Sequence, residues 1–395
     1  MIFGTHDANT LEQYEDVSSR PVKAALMADG HLGYVMPIGG VAAYDNLVSV
    51  VGVGFDIACG NAAIRTNLRV EDFERAEWEG IADTIFDEIS FGLKQGQLNR
   101  AHDAPTDHPV LSDERWGWLP TDRGTRDSLR DHARNQLGTT GSGNHYVDVF
   151  GDEAGVVWVG VHFGSRGFGH KIASGFLALS QGLEWGKRAP EQETLLSLDP
   201  HLSELGPLYW GLMELAGDYA YAGREWVARK VVDILGGDEL EIVHNNHNFS
   251  WKENHGGQDL VVVRKGATPA FPGQRGFVGG SMGDDSVILQ GSPTCTPTQQ
   301  AALYSTVHGA GRVMSRTAAR GKWKKGVCKK AGAVSPEAMQ SWIEERGVIL
   351  RGADLDEAPQ AYRRLPDVLA AQGDTVEVLH TLTPKVVCMA PRVTW

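Results

Sequence analysis

Residues 155–170 read GVVWVGVHFGSRGFGH. The head of this stretch, 155–163, is a nearly unbroken apolar run ending at a glycine-rich turn, the pattern of a strand buried on both faces. At its exit the chain sets His162 and Arg166, with Gly164, Ser165 and Gly167 around them. His162 is either a satisfied core histidine or a ligand, and Arg166 carries the planar fork that holds a phosphate through two hydrogen bonds. Outward from here, DLVVVRKGA (259–267) and VSVVGVGF (48–55) also predict buried strands, the latter ending at Asp56 and Cys59. VEVLHTL and KVVCMA predict two more near the C-terminus. An amphipathic segment over 1–20, helical character over 70–95, helical periodicity from Leu208 through Ile234 within 205–235, and helices over 336–346 and 358–371 complete the pattern. Residues 100–125, rich in Pro, Asp, Arg and Trp, read as a surface excursion. Strands and helices mix without regular alternation and no linker interrupts them, which predicts an α+β fold in one large domain, 1–395.

Composition bounds the function. The 395 residues carry 37 Lys+Arg and 50 Asp+Glu, so 37 − 50 = −13 with His neutral, at 42% hydrophobic and 22% charged. These values exclude a disordered or fibrous chain. No run approaches the roughly 18 apolar residues of a membrane helix, and MIFGTHDANT lacks a signal-peptide layout, so no membrane partner and a cytoplasmic location are expected. Cys59, Cys295, Cys328 and Cys388 show no paired spacing and read as reduced thiols. An acidic chain meets nucleic acid only through a local basic patch. The 48 Gly and 14 His exceed ordinary usage and gather in the same short segments.

Those segments hold the candidate chemistry. DIAC sets Asp56 and Cys59 three apart at a strand end, a turn acid and a buried thiol when taken alone, two metal ligands when taken with the histidines. GTTGSGNHYVD (138–148) offers backbone N–H groups beside Asn144 and His145, as a phosphate cradle does. HNNHNFSWKENH (244–255) carries three histidines and four asparagines, costly to bury unsatisfied, and spacing does not say which of His244, His247 and His255 is a ligand. HGAGR (308–312) presents His308 ahead of a small-residue turn, where an imidazole can attack phosphorus. From Arg312 to Lys330 run Arg312, Arg316, Arg320, Lys322, Lys324, Lys325, Lys329 and Lys330 with Trp323 among them and no acid, a patch that makes RNA a plausible partner. Oxygen, sulfur and nitrogen donors together suit Mn²⁺, Zn²⁺ or Fe²⁺, and one thiolate can bridge two ions. Metal beside a phosphate cradle means phosphoryl chemistry.

In chain order, MADGHLGYVMPIGG, GFDIACGN, LGTTGSGNH, HFGSRGFGH, HNFSWKENH, RKGA, GGSMG, HGAGRVMSR and DEAPQAY resemble the motifs of the RtcB tRNA-splicing (3′-phosphate) RNA ligases over nearly the whole chain. The resemblance implies the RtcB-type fold, sheets with surrounding helices about a central metal and nucleotide cleft. It implies a ligase that uses GTP and two Mn²⁺ ions to join RNA 2′,3′-cyclic phosphate or 3′-phosphate ends to 5′-hydroxyl ends, with an accessory activating protein known for the family. Carried over by motif, Asp56, Cys59, His145, His162 and His247 are metal ligands, Cys59 bridging, and His308 takes GMP. Asn144, His145, Tyr146, Val147, Asp148, His247, Asn248, Gly279, Gly280, Ser281, Met282, Ser286, Gly309, Ala310, Gly311 and Tyr362 meet the nucleotide, and Arg166, Arg312 and Arg316 meet phosphates of nucleotide or RNA.

The chain departs from the family pattern at the base end of the pocket. Asp148 replaces the usual Glu, and Ala390 stands where a lysine is common. Gly279-Gly280-Ser281-Met282 replaces Pro-Gly-Ser-Met, and MADGH around Asp29 and His31 replaces Met-Pro-Asp-Val-His. These departures imply a divergent, bacterial paralogue with looser nucleotide choice or another task such as RNA repair. Two competing classes remain, a metal-dependent hydrolase of cyclic phosphates and a non-catalytic RNA-binding paralogue.

Overall fold

The computed structural model describes residues 1–92, 103–324 and 327–391, and the side chains of 323–328 fall outside it. Two sheets organise the molecule. The larger runs in the order Glu239–Asn246, Gly60–Arg69, Val156–Phe163, Tyr146–Gly151, Val376–Met389, Ser286–Gly291, Arg275–Val278, with Ile349–Arg351 pairing parallel to Val376–Met389 and the other pairs antiparallel. It curls until its ends meet: Phe277 N donates to Asn245 Oδ1 at 3.0 Å, and Asn61 Nδ2 donates to Phe277 O at 2.8 Å. Ala63, Phe150, Trp158, Phe277, Ile288 and Leu382 fill the inside of the curl. Gly160 is glycine for want of room, because a Cβ there would press on the Phe150 and Phe277 rings.

The smaller sheet has the order Lys23–His31, Ile38–Tyr44, Gln258–Lys265, Asn248–His255, all antiparallel. Between the two sheets lies the helix Leu205–Leu235, stopped by Gly236 in the left-handed region (φ 73). One part of this helix packs Val227, Ala228, Val231 and Val232 on Ile64, Val159 and Phe163 of the larger sheet. Another part packs Tyr209, Leu212 and Tyr219 with Phe168, Phe176, Val261 and Val263. Among the described residues no helix is long and apolar enough to cross a membrane.

The α+β expectation and the strands at 156–163 and 258–265 hold, as do the helices Leu205–Leu235 and Pro336–Glu345. The amphipathic start is the helix Ala8–Ser18, and the 70–95 segment is helical over Arg75–Glu88. VSVVGVGF is not one strand. After Leu47–Ser49 the Ser49 hydroxyl accepts from Gly52 N at 2.8 Å and turns Val50–Val53 into a helical turn, an outcome that a short apolar run leaves open. VEVLHTL and KVVCMA form one strand, Val376–Met389, with Pro384 placed at a register shift where no ladder donor is needed. The helix expected over 358–371 is confined to Leu365–Gln372 because Tyr362 is extended. The 100–125 segment is no surface excursion where described: Val110, Leu111, Trp116 and Leu119 enter the core, and Trp116 stacks on Phe168 at 4.3 Å. Its residues 100–102 lie outside the described residues, as does Lys325 of the basic run.

Candidate active site

Strand pairing brings the ligand candidates together. His162 lies across from Asn61 on one side and Tyr146 on the other. The Asn61 amide is fixed by Phe277 O, so its Oδ1 accepts from His162 Nδ1 at 2.6 Å and leaves Nε2 as a lone pair 3.6 Å from Cys59 Sγ. His145 follows the same rule: Nδ1 donates to Thr140 O at 2.8 Å, and Nε2 lies 3.8 Å from Cys59 Sγ and 3.2 Å from Asp56 Oδ2. Ligand atoms of Cys59, His145 and His162 all lie within 4.8 Å of one another. His247 joins through its ring, stacked on His162 at 5.1 Å, while its backbone N–H donates to Cys59 O at 2.8 Å.

One buried guanidinium ties these strand ends. Arg224, fully buried on the long helix, donates to Ala58 O (2.7 Å), Phe163 O (2.6 Å), Asn246 Oδ1 (2.5 Å) and His244 Nε2 (2.7 Å). Each acceptor is next to Cys59, next to His162, or within three residues of His247. Burial pulls the Arg224 guanidinium down to about 10, and it stays charged at neutral pH.

The electrostatics fit a cation. Burial, then neighbouring histidines, holds the His162 and His247 imidazoles well below their ordinary range, so both are neutral donors. Burial and then the Asp56 carboxylate push the Cys59 thiol well up. The His145 Nε2 lone pair and Asp56 Oδ2 face each other as two acceptors, which calls for positive charge between them. His247 Nδ1 is buried with no hydrogen-bond partner among the described residues. One thiol, one carboxylate and three imidazoles suit a divalent transition metal, and a cation there would reverse the thiol's shift.

His308 lies beside this cluster, its ring 4.9 Å from that of His247. Asp29, fully buried on the strand Lys23–His31, accepts from His308 Nδ1 at 2.6 Å, from His308 N at 3.0 Å and from Gly309 N at 3.3 Å. Burial opposes its charge, but His308 outweighs burial and holds the carboxyl below its ordinary range. With Nδ1 committed, His308 presents Nε2 to a cleft that it lines together with Asn144, Tyr146, Asp148, Gly279, Gly280, Ser281, Met282, Gly309, Ala310, Gly311, Arg312 and Tyr362.

The remaining candidates fall elsewhere. Val147 alternates away from Tyr146 and Asp148 into the core with Val149 and Val161. Asn248 spans a turn, its amide between Asp56 O and Gly266 N, and Ser286 Oγ accepts from Gly280 N at 3.0 Å, supporting the loop rather than lining the cleft. Arg166 does not line this cleft but walls a second cavity with Asp56 and His145, buried at a positive φ of 58°, its Nε donating to Thr139 Oγ1 at 3.2 Å. A Cβ on Gly141 would collide with that guanidinium and with the His145 ring, and Gly141 sits at φ 101.

Arg312 and Arg316 do not present bare charge. Arg312 donates to Glu357 Oε2 at 3.1 Å and stacks on Tyr362, Arg316 pairs with Asp356 at 3.1 Å and with Glu357, and Arg320 reaches Asp354 at 3.4 Å. The acid-free sequence run is therefore met across space by 354–357. Sequence reading passed over Asp29, Asn61 and Arg224 as working residues. Asp29 and Arg224 did leave a signal, a charge within an apolar segment that folding must neutralise.

The sequence model of the family described as tRNA-splicing ligase RtcB matches residues 13–390. A tRNA-splicing ligase RtcB of Thermococcus kodakarensis is 33% identical, the match covering 94% of this chain and 87% of the relative. An RNA-splicing ligase RtcB of Escherichia coli K12 is 34% identical over 92% of this chain and 89% of the relative. One named tRNA-splicing ligase RtcB in Archaeoglobus fulgidus is 33% identical over 95% and 88%.

Proposed function

The chain belongs to the RtcB family and is an RNA ligase, and on that premise we propose that it is a GTP- and Mn²⁺-dependent enzyme joining RNA 2′,3′-cyclic phosphate or 3′-phosphate ends to 5′-hydroxyl ends. The observation that carries this reading is His308, held by Asp29 at the junction of a glycine-lined cleft and the Cys59–His145–His162 cluster. His308 Nε2 attacks the α-phosphorus of GTP, a phosphorus–nitrogen bond forms, and pyrophosphate leaves. The charge gained by the imidazole is balanced by the Asp29 carboxylate through Nδ1–H. Water first opens a cyclic end to the 3′-phosphate; a 3′-phosphate oxygen then takes GMP as the phosphorus–nitrogen bond to His308 breaks, and attack by the 5′-hydroxyl on the 3′-phosphorus forms the phosphodiester and releases GMP. Asp56, Cys59, His145, His162 and His247 would hold two Mn²⁺, which supply charge neutralisation at the phosphates when bound. The glycine-rich walls at 279–282 and 309–311 give backbone access to the phosphates.

Incubation with α-labelled GTP and Mn²⁺ tests the reading. The parent chain is expected to acquire covalent label, and His308→Ala is expected to acquire none. Absence of label in the parent with every divalent metal would favour the hydrolase class instead.

A further inference from the structure

The basic run from Arg312 to Lys330 divides by residue type. Its arginines find acids across space: Arg312 pairs with Glu357, Arg316 with Asp356 and Glu357, and Arg320 with Asp354. Its lysines do not. Lys322, Lys329 and Lys330 are exposed, and no ion pair reaches any of their ammonium groups among the described residues. The acids at 354–357 are committed to the arginines, so the uncompensated positive charge of the run lies on the lysines.

The fold gathers this charge against its own interest. Lys322–Lys324 pairs antiparallel with Val327–Lys330, and Lys322 stands opposite Lys330. Residues opposite one another on such a ladder share a face, and like charges there repel. The register skips Lys329, a bulge of the kind that re-aims a side chain. The root of the ladder is fixed. Ala333 N donates to Ala318 O at 2.9 Å, and Val334 N donates to Ala319 O at 3.1 Å. Gly321, at φ 81, and Gly332 pack where a Cβ would strike Lys330 O or Ala319 O. Three ammonium groups on so firm a base suit a polyanion. They also stand near the reaction centre. The helix Arg316–Arg320, roughly 7 Å long, leads into the ladder. At its far end the Arg316 guanidinium lies against Gly143, where a Cβ would meet it at 2.9 Å, and Gly143 comes two residues before His145.

We propose that Lys322, Lys329 and Lys330 hold the phosphate backbone of the RNA outside the cleft, a few nucleotides from the end being joined, by charge and without reading sequence. Arg312, Arg316 and Arg320, neutralised by their acids, shape the path between this surface and the cleft. The inference rests on the RNA-ligase assignment and adds to it a surface that grips the body of the substrate rather than its reacting end.

Fluorescence anisotropy of a labelled single-stranded RNA with a 3′-phosphate end, titrated with the full chain at several salt concentrations, tests it. Combining Lys322→Ala, Lys329→Ala and Lys330→Ala is expected to flatten the slope of log affinity against log salt by about 2, at about 0.7 per lost phosphate contact, and to weaken binding at about 0.1 M salt by ten- to a hundredfold. Arg at all three positions is expected to keep the parental slope. A dinucleotide 3′-phosphate, too short to reach the ladder, is expected to compete equally well for the parent and the triple Ala variant. Because these side chains are exposed, the variants are expected to melt with the parent and to acquire label from GTP at the parental rate, a step that needs no RNA. Parental slope and affinity in the triple Ala variant overturn the surface, leave the lysines as guards of exposed strand edges, and do not touch the ligase reading. A lysine-dependent slope in a parent that acquires no label supports the surface and overturns the nucleotidyl-transfer reading.

Discussion

An imidazole is a useful nucleophile only when one nitrogen is tied and the other aimed, and Asp29 does the tying for His308 with a single oxygen shared among three N–H donors. Asp29→Asn is expected to keep nucleotide affinity while slowing His308 labelling by about 10²- to 10⁴-fold, since the amide permits the wrong tautomer. Single-turnover labelling beside equilibrium nucleotide binding checks this, and parallel losses in both would sink it. Asp148 predicts a second effect. It is buried with its carboxyl pushed well above the carboxylate range by desolvation, and Oδ1 has no partner among the described residues. Asp148→Glu is expected to raise GTP-over-ATP preference in the labelling assay. An unchanged ratio would show that this side chain does not read the base. His145, His162, His247 and His308 could be picked out as candidates because each sits in a dense polar motif, whereas Cys59 in DIAC reads alone as a buried thiol. Asp29 could not be picked out, because its partner arrives 279 residues later along the chain.

At the scale of elements, the helix Leu205–Leu235 was readable from its period, but its task was not. The period reports an apolar face, whereas Arg224 on that face is what holds the Ala58 turn and the ends of two strands, Phe163 and Asn246, beside the Cys59–His145–His162 cluster. Arg224→Met is expected to destabilise the chain by about 3–5 kcal/mol, because it leaves the buried Ala58 and Phe163 carbonyls and the Asn246 amide oxygen without their charged donor. Urea unfolding measures the loss, and metal content after dialysis is expected to fall with it. A midpoint within error of the parent would show that water replaces the guanidinium. The run 48–55 misled for a related reason: a short apolar segment states that it is buried, and Ser49 decides what shape it takes.

Over the whole molecule, composition and mixed periodicities conveyed α+β but not the order of strands, since the sheet closes by bringing Arg275–Val278 toward Glu239–Asn246 through side chains rather than a ladder. The same region sets an acid limit on stability. His244 is pulled to about 4 by burial and then by Arg224, whose Nε donates to its Nε2. Between about pH 6.5 and 4 the unfolded chain takes up this proton and the folded chain resists it, so stability rises with pH across that window and is lost as pH falls. The contribution is about 3 kcal/mol. His244→Gln, which keeps an acceptor without a titrating ring, is expected to show a shallower decline in urea midpoint from pH 7 to 4.5, and an equal decline would refute the assignment. The guanidinium of Arg224 also bears on synthesis. Its acceptors lie at 58, 163, 244 and 246, so a nascent polypeptide leaving the ribosome cannot complete the knot until the last of these has emerged. His308 follows some sixty residues further on. A product that ends before residue 246 therefore lacks the complete set of bonds that ties the Cys59, His162 and His247 segments together.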